Sequence, residues 1–293
     1  MWNHFRWGVV VTVDQCSALT GRVGGAEYFR FREHHHFRPE SIIDVLRGRV
    51  AGVVFRGVVP ARTCALLAER FWASPARRAR GTDAPGYYLG AYHYHKTTED
   101  YLAETAEFRG ALDAVLDMPD DPLTRLNQGL SEALAAEGVQ FRLASHGGRE
   151  ASRAIMRSWH GQSEYALAPH EDLGQCTEPK QADFEIQRAA EHQIVALNMC
   201  LDNGAGGRLA VWNIRPDEAS RHRLGLHYTG SPYPLDSLAG IEVAWLEVHP
   251  GDVYLFNGAH VHAVEPETSV ETRRITLSGI LGFIDENTVV SWT

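Results

Sequence analysis

The segment Pro169-His170-Glu171-Asp172 sets an imidazole and a carboxylate two residues apart. On an extended strand, or at a strand end, side chains at that spacing point to one face. A neutral imidazole beside a carboxylate supplies two adjacent ligands suited to a divalent first-row metal. A third ligand must come from elsewhere, and residues 250–264 (PGDVYLFNGAHVHAV) offer one. There a Pro-Gly-Asp turn feeds the apolar run Val253–Phe256, Gly258 permits a bend, and the pair His260 and His262 follows. On the residues alone, either histidine can be the distal ligand. Arg273 and Arg274 come next. They are neighbours on one strand, so only one faces the interior. A guanidinium there can hold a carboxylate through paired hydrogen bonds. Thr276, two residues beyond Arg274, would share its face.

Two histidines and one carboxylate leave coordination positions open on a non-haem iron(II) centre. The order His170-x-Asp172, His262, then Arg274 with Thr276, resembles the iron(II)/2-oxoglutarate dioxygenases. The blocks GVVFRGVVPARTCALLAERF, GGRLAVWNIRP, GDVYLFNGAHVHAV and TRRITLSGILGF are similar to segments of the carrier-independent, welwitindolinone-type alkaloid halogenases. The resemblance runs from about residue 50 to the C-terminus. It implies a double-stranded β-helix, with iron on His170, Asp172 and His262 as the catalytic triad. It implies 2-oxoglutarate on Arg274 and Thr276, and O2 as oxidant. It also favours His262 over His260, because the spacing from His262 to Arg274 matches that of the related segments. Those halogenases carry glycine at the carboxylate position, which opens a place for chloride. Asp172 closes it here, so the resemblance implies hydroxylation, desaturation, ring formation or epimerisation rather than halogenation.

The elements that must position these residues can also be read from the sequence. Arg49–Val59 reads as a valine-rich strand, and Pro60 opens a helix whose apolar face is Cys64, Leu67, Ala68 and Phe71. A second helix is expected from about Thr98 to Leu116, with Tyr101, Phe108, Leu112 and Val115 on one side. A third is expected from Asp121-Pro122 to near Gly138, with a stripe of Leu123, Leu126, Leu130 and Leu134. The second half is a series of short β-type runs: Arg153–Trp159, Gln193–Leu201, Arg208–Ile214, Glu242–Val248, Asp252–Phe256, His260–Glu265 and Arg273–Phe283. Gly, Pro and Asn turns between them argue for a sandwich or jelly roll. The fold class expected is mainly β with supporting helices (α+β), on a double-stranded β-helix, cupin-like core. The expectation is a single domain: residues 1–150 as a mixed helical and strand support, residues 151–293 as the core carrying iron.

With 15 histidines in the chain, no single one means much. His34-His35-His36 lies in a charged stretch and reads as a solvated surface segment. His93 and His95 are left open between cleft and solvent. Arg157 reads first as a surface salt bridge and second as a partner for an acidic substrate group. Trp159 and Trp212 suit either pocket wall or core. The polar segment Cys176–Glu191 is expected to form a mobile lid.

The balance of 28 Lys and Arg against 37 Asp and Glu, a formal charge of −9, argues against a broad nucleic-acid footprint. Cys16, Cys64, Cys176 and Cys200 form no C-x-x-C pair and read as reduced thiols. No stretch approaches a membrane span, and a cytoplasmic location is the default reading. The partner expected is a small molecule such as an amino acid or natural-product intermediate, with no nucleic acid and no membrane, and a homodimer left open. Competing readings are a protein-modifying hydroxylase on the same fold and a non-catalytic jelly-roll binding or sensor protein.

Overall fold

The computed structural model describes residues 18–81, 85–160, 163–269 and 274–293. Cys16 and Arg273 lie outside the described residues. The fold is mixed α/β. Its helices are α1 (Pro39–Leu46), α2 (Ala61–Ala73), α3 (Thr98–Leu116) and α4 (Pro122–Ala136), together with the short α5 (Glu218–Arg223). The helix over 98–116 falls on its expected bounds, capped by the Thr97 side chain, which accepts from Asp100 N–H. Asp121 caps α4 by accepting from Leu123 N–H, and Leu123, Leu126, Leu130 and Leu134 are buried as their spacing predicts. Pro60 sits one position earlier than expected, at the N-cap of α2 rather than inside its first turn.

Among the described residues, fourteen strands build the two main sheets. They are β1 (Phe31–His34), β2 (Gly52–Phe55), β3 (Arg78–Ala79), β4 (Tyr87–Leu89), β5 (Gln140–Leu143), β6 (Ile155–Trp159), β7 (Leu167–His170), β8 (Ile194–Asp202), β9 (Leu209–Trp212), β10 (Val243–Leu246), β11 (Val253–Asn257), β12 (His262–Val264), β13 (Arg274–Asp285) and β14 (Thr288–Trp292). The larger sheet runs β1-β2-β11-β8-β13-β6-β4-β3, with β14 beside β13 and β5 beside β14. The smaller runs β7-β12-β9-β10, antiparallel throughout.

Period-2 alternation gives the larger sheet two apolar faces. On β11, Val253 and Leu255 pack toward the helices, while Tyr254 and Phe256 face the smaller sheet. On β8, Val195, Leu197 and Met199 take the helical side, while Ala196 and Cys200 take the other. The helices α1, α2, α3 and α4 therefore cover one face with Ile42, Leu46, Leu67, Phe71, Phe108 and Leu130. Leu209, Val211, Leu246 and Val264 of the smaller sheet cover the other.

The expectation of a polar lid at Cys176–Glu191 is corrected. The segment forms 3₁₀ turns at Gly174–Thr177, Pro179–Gln181 and Glu185–Glu191. Cys176, Phe184, Ile186 and Ala189 anchor it in a third apolar cluster with Tyr101 and Trp292. Its polar letters concealed four inward-facing apolar side chains. Cys64, Cys176 and Cys200 are free and buried. Among the described residues, no helix is long and apolar enough to cross a membrane.

Candidate metal centre and its cavity

Strands β7 and β12 pair antiparallel with His170 directly opposite His262. That register brings the two imidazole rings to a centroid separation of 4.1 Å. Asp172 follows β7, and its N–H donates to the Gly258 carbonyl at 2.8 Å. Its Oδ2 then lies 3.8 Å from His262 Nε2. One ligand atom from each of His170, Asp172 and His262 lies within 4.8 Å of the other two. Gly258 makes room for the carboxylate: a Cβ there would collide with Asp172 Oδ2. The intervening Glu171 turns away, accepting from the Leu173 and Gly174 N–H groups. Burial pushes its carboxyl up to about 7.

Both imidazoles have their tautomer set by a carbonyl. His170 Nδ1 lies 2.8 Å from the Ala168 oxygen, and His262 Nδ1 lies 2.9 Å from the His260 oxygen. A carbonyl can only accept, so Nδ1 carries the proton and Nε2 keeps its lone pair. Burial, then the neighbouring His262, pulls His170 down to about 3. Burial pulls His262 down to about 4. Asp172 is shifted upward by burial, which penalises its charge. Two neutral lone-pair donors and a desolvated carboxylate form a donor set that a divalent cation fits, because its charge offsets the cost of burying Asp172.

His260, the other candidate, faces away. Its Nδ1 meets the Trp212 carbonyl at 2.9 Å and its Nε2 the Tyr28 hydroxyl at 3.1 Å.

Along β13, Arg274, Thr276 and Ser278 alternate into the cavity. Arg274 is 1% exposed, an extreme value for an arginine. It donates to the Gly207 carbonyl and to the Tyr254 hydroxyl, the latter at 2.6 Å. Its Nε is buried without a partner among the described residues. Thr276 accepts from Trp159 Nε1 at 3.3 Å and from Ser278 Oγ at 3.2 Å. An orphan guanidinium N–H beside a hydroxyl suits a carboxylate, so the pocket fits the distal end of 2-oxoglutarate. Arg274, Thr276 and the triad line one cavity of about 470 Å³ between the two sheets.

The remaining expectations divide. His93 and His95 both line the cavity, His93 buried and His95 exposed. His35 and His36 are exposed, as read, whereas His34 is half-buried, 3.0 Å from the Ser41 hydroxyl and stacked on Phe55. Trp159 walls the cavity, whereas Trp212 packs in a separate apolar cluster. Arg157 is corrected. It lines the cavity rather than the surface, because β6 lies between β13 and β4 and its inward positions are covered. Sequence reasoning missed Tyr254, Ser278, Asn198 and Arg80. Alternation from Arg274 signals Ser278; nothing local marks the others.

The family model described as carrier-protein-independent halogenase WelO5 matches residues 32–293. L-isoleucine 3(1)-dioxygenase of Pantoea ananatis (strain AJ13355) is 29% identical over 268 residues, spanning 89% of this chain and 85% of that protein. An N-substituted L-amino acid dioxygenase from Burkholderia ambifaria AMMD superposes with a TM-score of 0.56 at 15% identity, covering 87% of this chain and 91% of that one. Its complex with alpha-KG gives a TM-score of 0.54 at 17% identity, covering 87% and 90%. At such identities the structural likeness speaks for the fold alone. With the family model covering nearly the whole chain, the protein belongs to the carrier-protein-independent halogenase WelO5 family.

Proposed function

We propose that this chain is an iron(II)/2-oxoglutarate-dependent oxygenase that oxidises an unactivated C–H bond of a small molecule, such as an amino acid or natural-product intermediate. The observation that carries the reading is the convergence of His170, Asp172 and His262 in the cavity that also holds Arg274. The sheet order supports a double-stranded β-helix: β6-β13-β8-β11 of one sheet opposes β7-β12-β9-β10 of the other. We read the chain as one domain, in which residues 151–293 form that core and the preceding helices brace it.

His170 and His262 would present Nε2, and Asp172 a carboxylate oxygen, to the ferrous ion. Arg274 and Thr276 would hold the far carboxylate of 2-oxoglutarate. When bound, the iron and 2-oxoglutarate supply the oxidising power, with O2 consumed and succinate and CO2 released. The carbonyls of Ala168 and His260 keep the two rings oriented. The apolar walls Trp159, Leu209, Phe256 and Val264 limit water at the reacting centre. Asp172 matters for the outcome. An intact carboxylate occupies the position that a halide would need, so oxidation without halogen transfer is the reaction this donor set supports.

Anaerobic titration of the purified protein with Fe(II) and then 2-oxoglutarate tests the assignment. A weak visible charge-transfer band that vanishes in Asp172→Ala is expected. Absence of the band in the wild-type protein would point instead to a non-catalytic binding module.

A further inference from the structure

We propose that Arg157 and Arg80 form a second anion subsite in this cavity, which takes the carboxylate of the substrate; the inference rests on the oxygenase reading above. Arg80, Arg157 and Arg274 all line the cavity, and Asp172 is the sole acidic side chain among its described lining residues. A divalent ion would be offset in part by Asp172. The two carboxylates of 2-oxoglutarate would offset the rest of the ion's charge together with Arg274. Among the described residues, Arg157 and Arg80 are then left without a counter-charge of their own in a partly desolvated site, an arrangement that is costly unless a ligand supplies it.

The neighbouring cations show the contrast. Lys96 is paired with Glu104, and Arg78 with Glu107. Arg157 and Arg80 have no ion pair or side-chain hydrogen bond among the described residues, and Arg80 Nη1 is buried without a partner. Burial lowers the pKa of both guanidiniums, opposed at Arg157 by the charge of Asp172 and then by Tyr92; at Arg80 the charge of Arg157 lowers it further, opposed by Tyr92 alone. Two like charges held together in this way have the character of an anion site. Both are positioned by structure. Arg157 stands opposite Thr276, one inward-facing pair along β6 from the Trp159–Arg274 pair. Arg80 lies over the Trp159 ring at 4.3 Å. Arg157 is also close enough to Asp172 for its charge to be felt there. A substrate gripped by Arg157 would therefore lie beside the metal. Among the described lining residues no acidic side chain is left to receive an ammonium, so the site favours an organic acid whose amine, where it has one, is uncharged.

The test uses the intact protein loaded anaerobically with Fe(II) and 2-oxoglutarate. Calorimetric titrations would compare N-acetyl-L-isoleucine, L-isoleucine and the neutral N-acetyl-L-isoleucinamide, with leucine and phenylalanine counterparts. The acids are expected to bind on the order of tenfold or more tightly than their matched amides, with the N-acetyl acids ahead of the zwitterions. Arg157→Gln should erase the acid–amide gap and Arg80→Gln should narrow it. Neither should change the 2-oxoglutarate concentration that half-develops the charge-transfer band. The subsite is overturned if no acid in the panel binds, or if Arg157→Gln preserves the gap. It is equally overturned if Arg157→Gln raises the 2-oxoglutarate requirement, which would give this guanidinium to the co-substrate. Loss of the band in the wild-type protein would sink the oxygenase reading separately, because the acid–amide comparison is read by heat.

Discussion

At the scale of single residues, the two histidines of His260-Val261-His262 do opposite jobs. His262 Nε2 looks toward Asp172, while both ring nitrogens of His260 have protein partners. His262→Ala and Asp172→Ala should therefore abolish stoichiometric Fe(II) binding in anaerobic dialysis, and His260→Gln should retain iron in a less stable protein. Iron lost from His260→Gln but kept by His262→Ala would reverse the assignment. Gly258 adds a subtler prediction, since its missing Cβ is the space that the Asp172 carboxylate fills. Gly258→Ala should weaken Fe(II) affinity by roughly 10- to 100-fold, the range for disturbing a group that positions a ligand, while leaving the fold intact by circular dichroism. The triad was legible in sequence because a strand turns the spacing of His170 and Asp172 into direction. Gly258 was read only as a bend, because what a glycine must avoid depends on a residue far away in the chain.

At the scale of the strand, β11 separates stability from ligand binding by side. Leu255 packs into the helical core and Tyr254 donates no packing there but meets Arg274. Leu255→Ala should lower unfolding stability by about 2–5 kcal/mol in urea. Tyr254→Phe should cost about 1 kcal/mol and raise the 2-oxoglutarate needed for half-saturation. If both variants shift 2-oxoglutarate binding equally, the two faces are not independent. Alternation of this kind made the strands readable, and helix stripes with caps made α3 and α4 readable to within a residue or two. The same logic failed for Arg157, because sequence shows which way a strand residue alternates but not that both sides of the strand are covered. It failed for 176–191 because a 3₁₀ segment buries side chains at irregular spacing, with no period to detect.

At the scale of the whole molecule, the cavity requires imidazoles to remain neutral, and that makes stability depend on pH. Burial holds His93 at about 4, His260 at about 4, His262 at about 4 and His170 at about 3, against an ordinary value of 6.5. Below pH 6.5 the unfolded chain takes up protons that the folded protein refuses. The unfolded state then binds more protons, so stability rises with pH across this window and is lost as pH falls through it. Glu171, raised to about 7, works the other way: the folded carboxyl keeps a proton that the unfolded chain releases, so its contribution fades as pH rises. Asp172 is shifted in the same sense as Glu171. The imidazoles outnumber these two carboxyls, so the histidine trend should dominate between neutral pH and about pH 4.5. The urea midpoint of the metal-free protein should fall steadily over that range and recover on return to neutrality. Replacing His93 with Gln, away from the metal ligands, should flatten the profile without touching Fe(II) affinity at pH 7. A midpoint independent of pH would mean that these rings take up protons in the folded protein as readily as in the unfolded chain, so that burial is not holding them neutral.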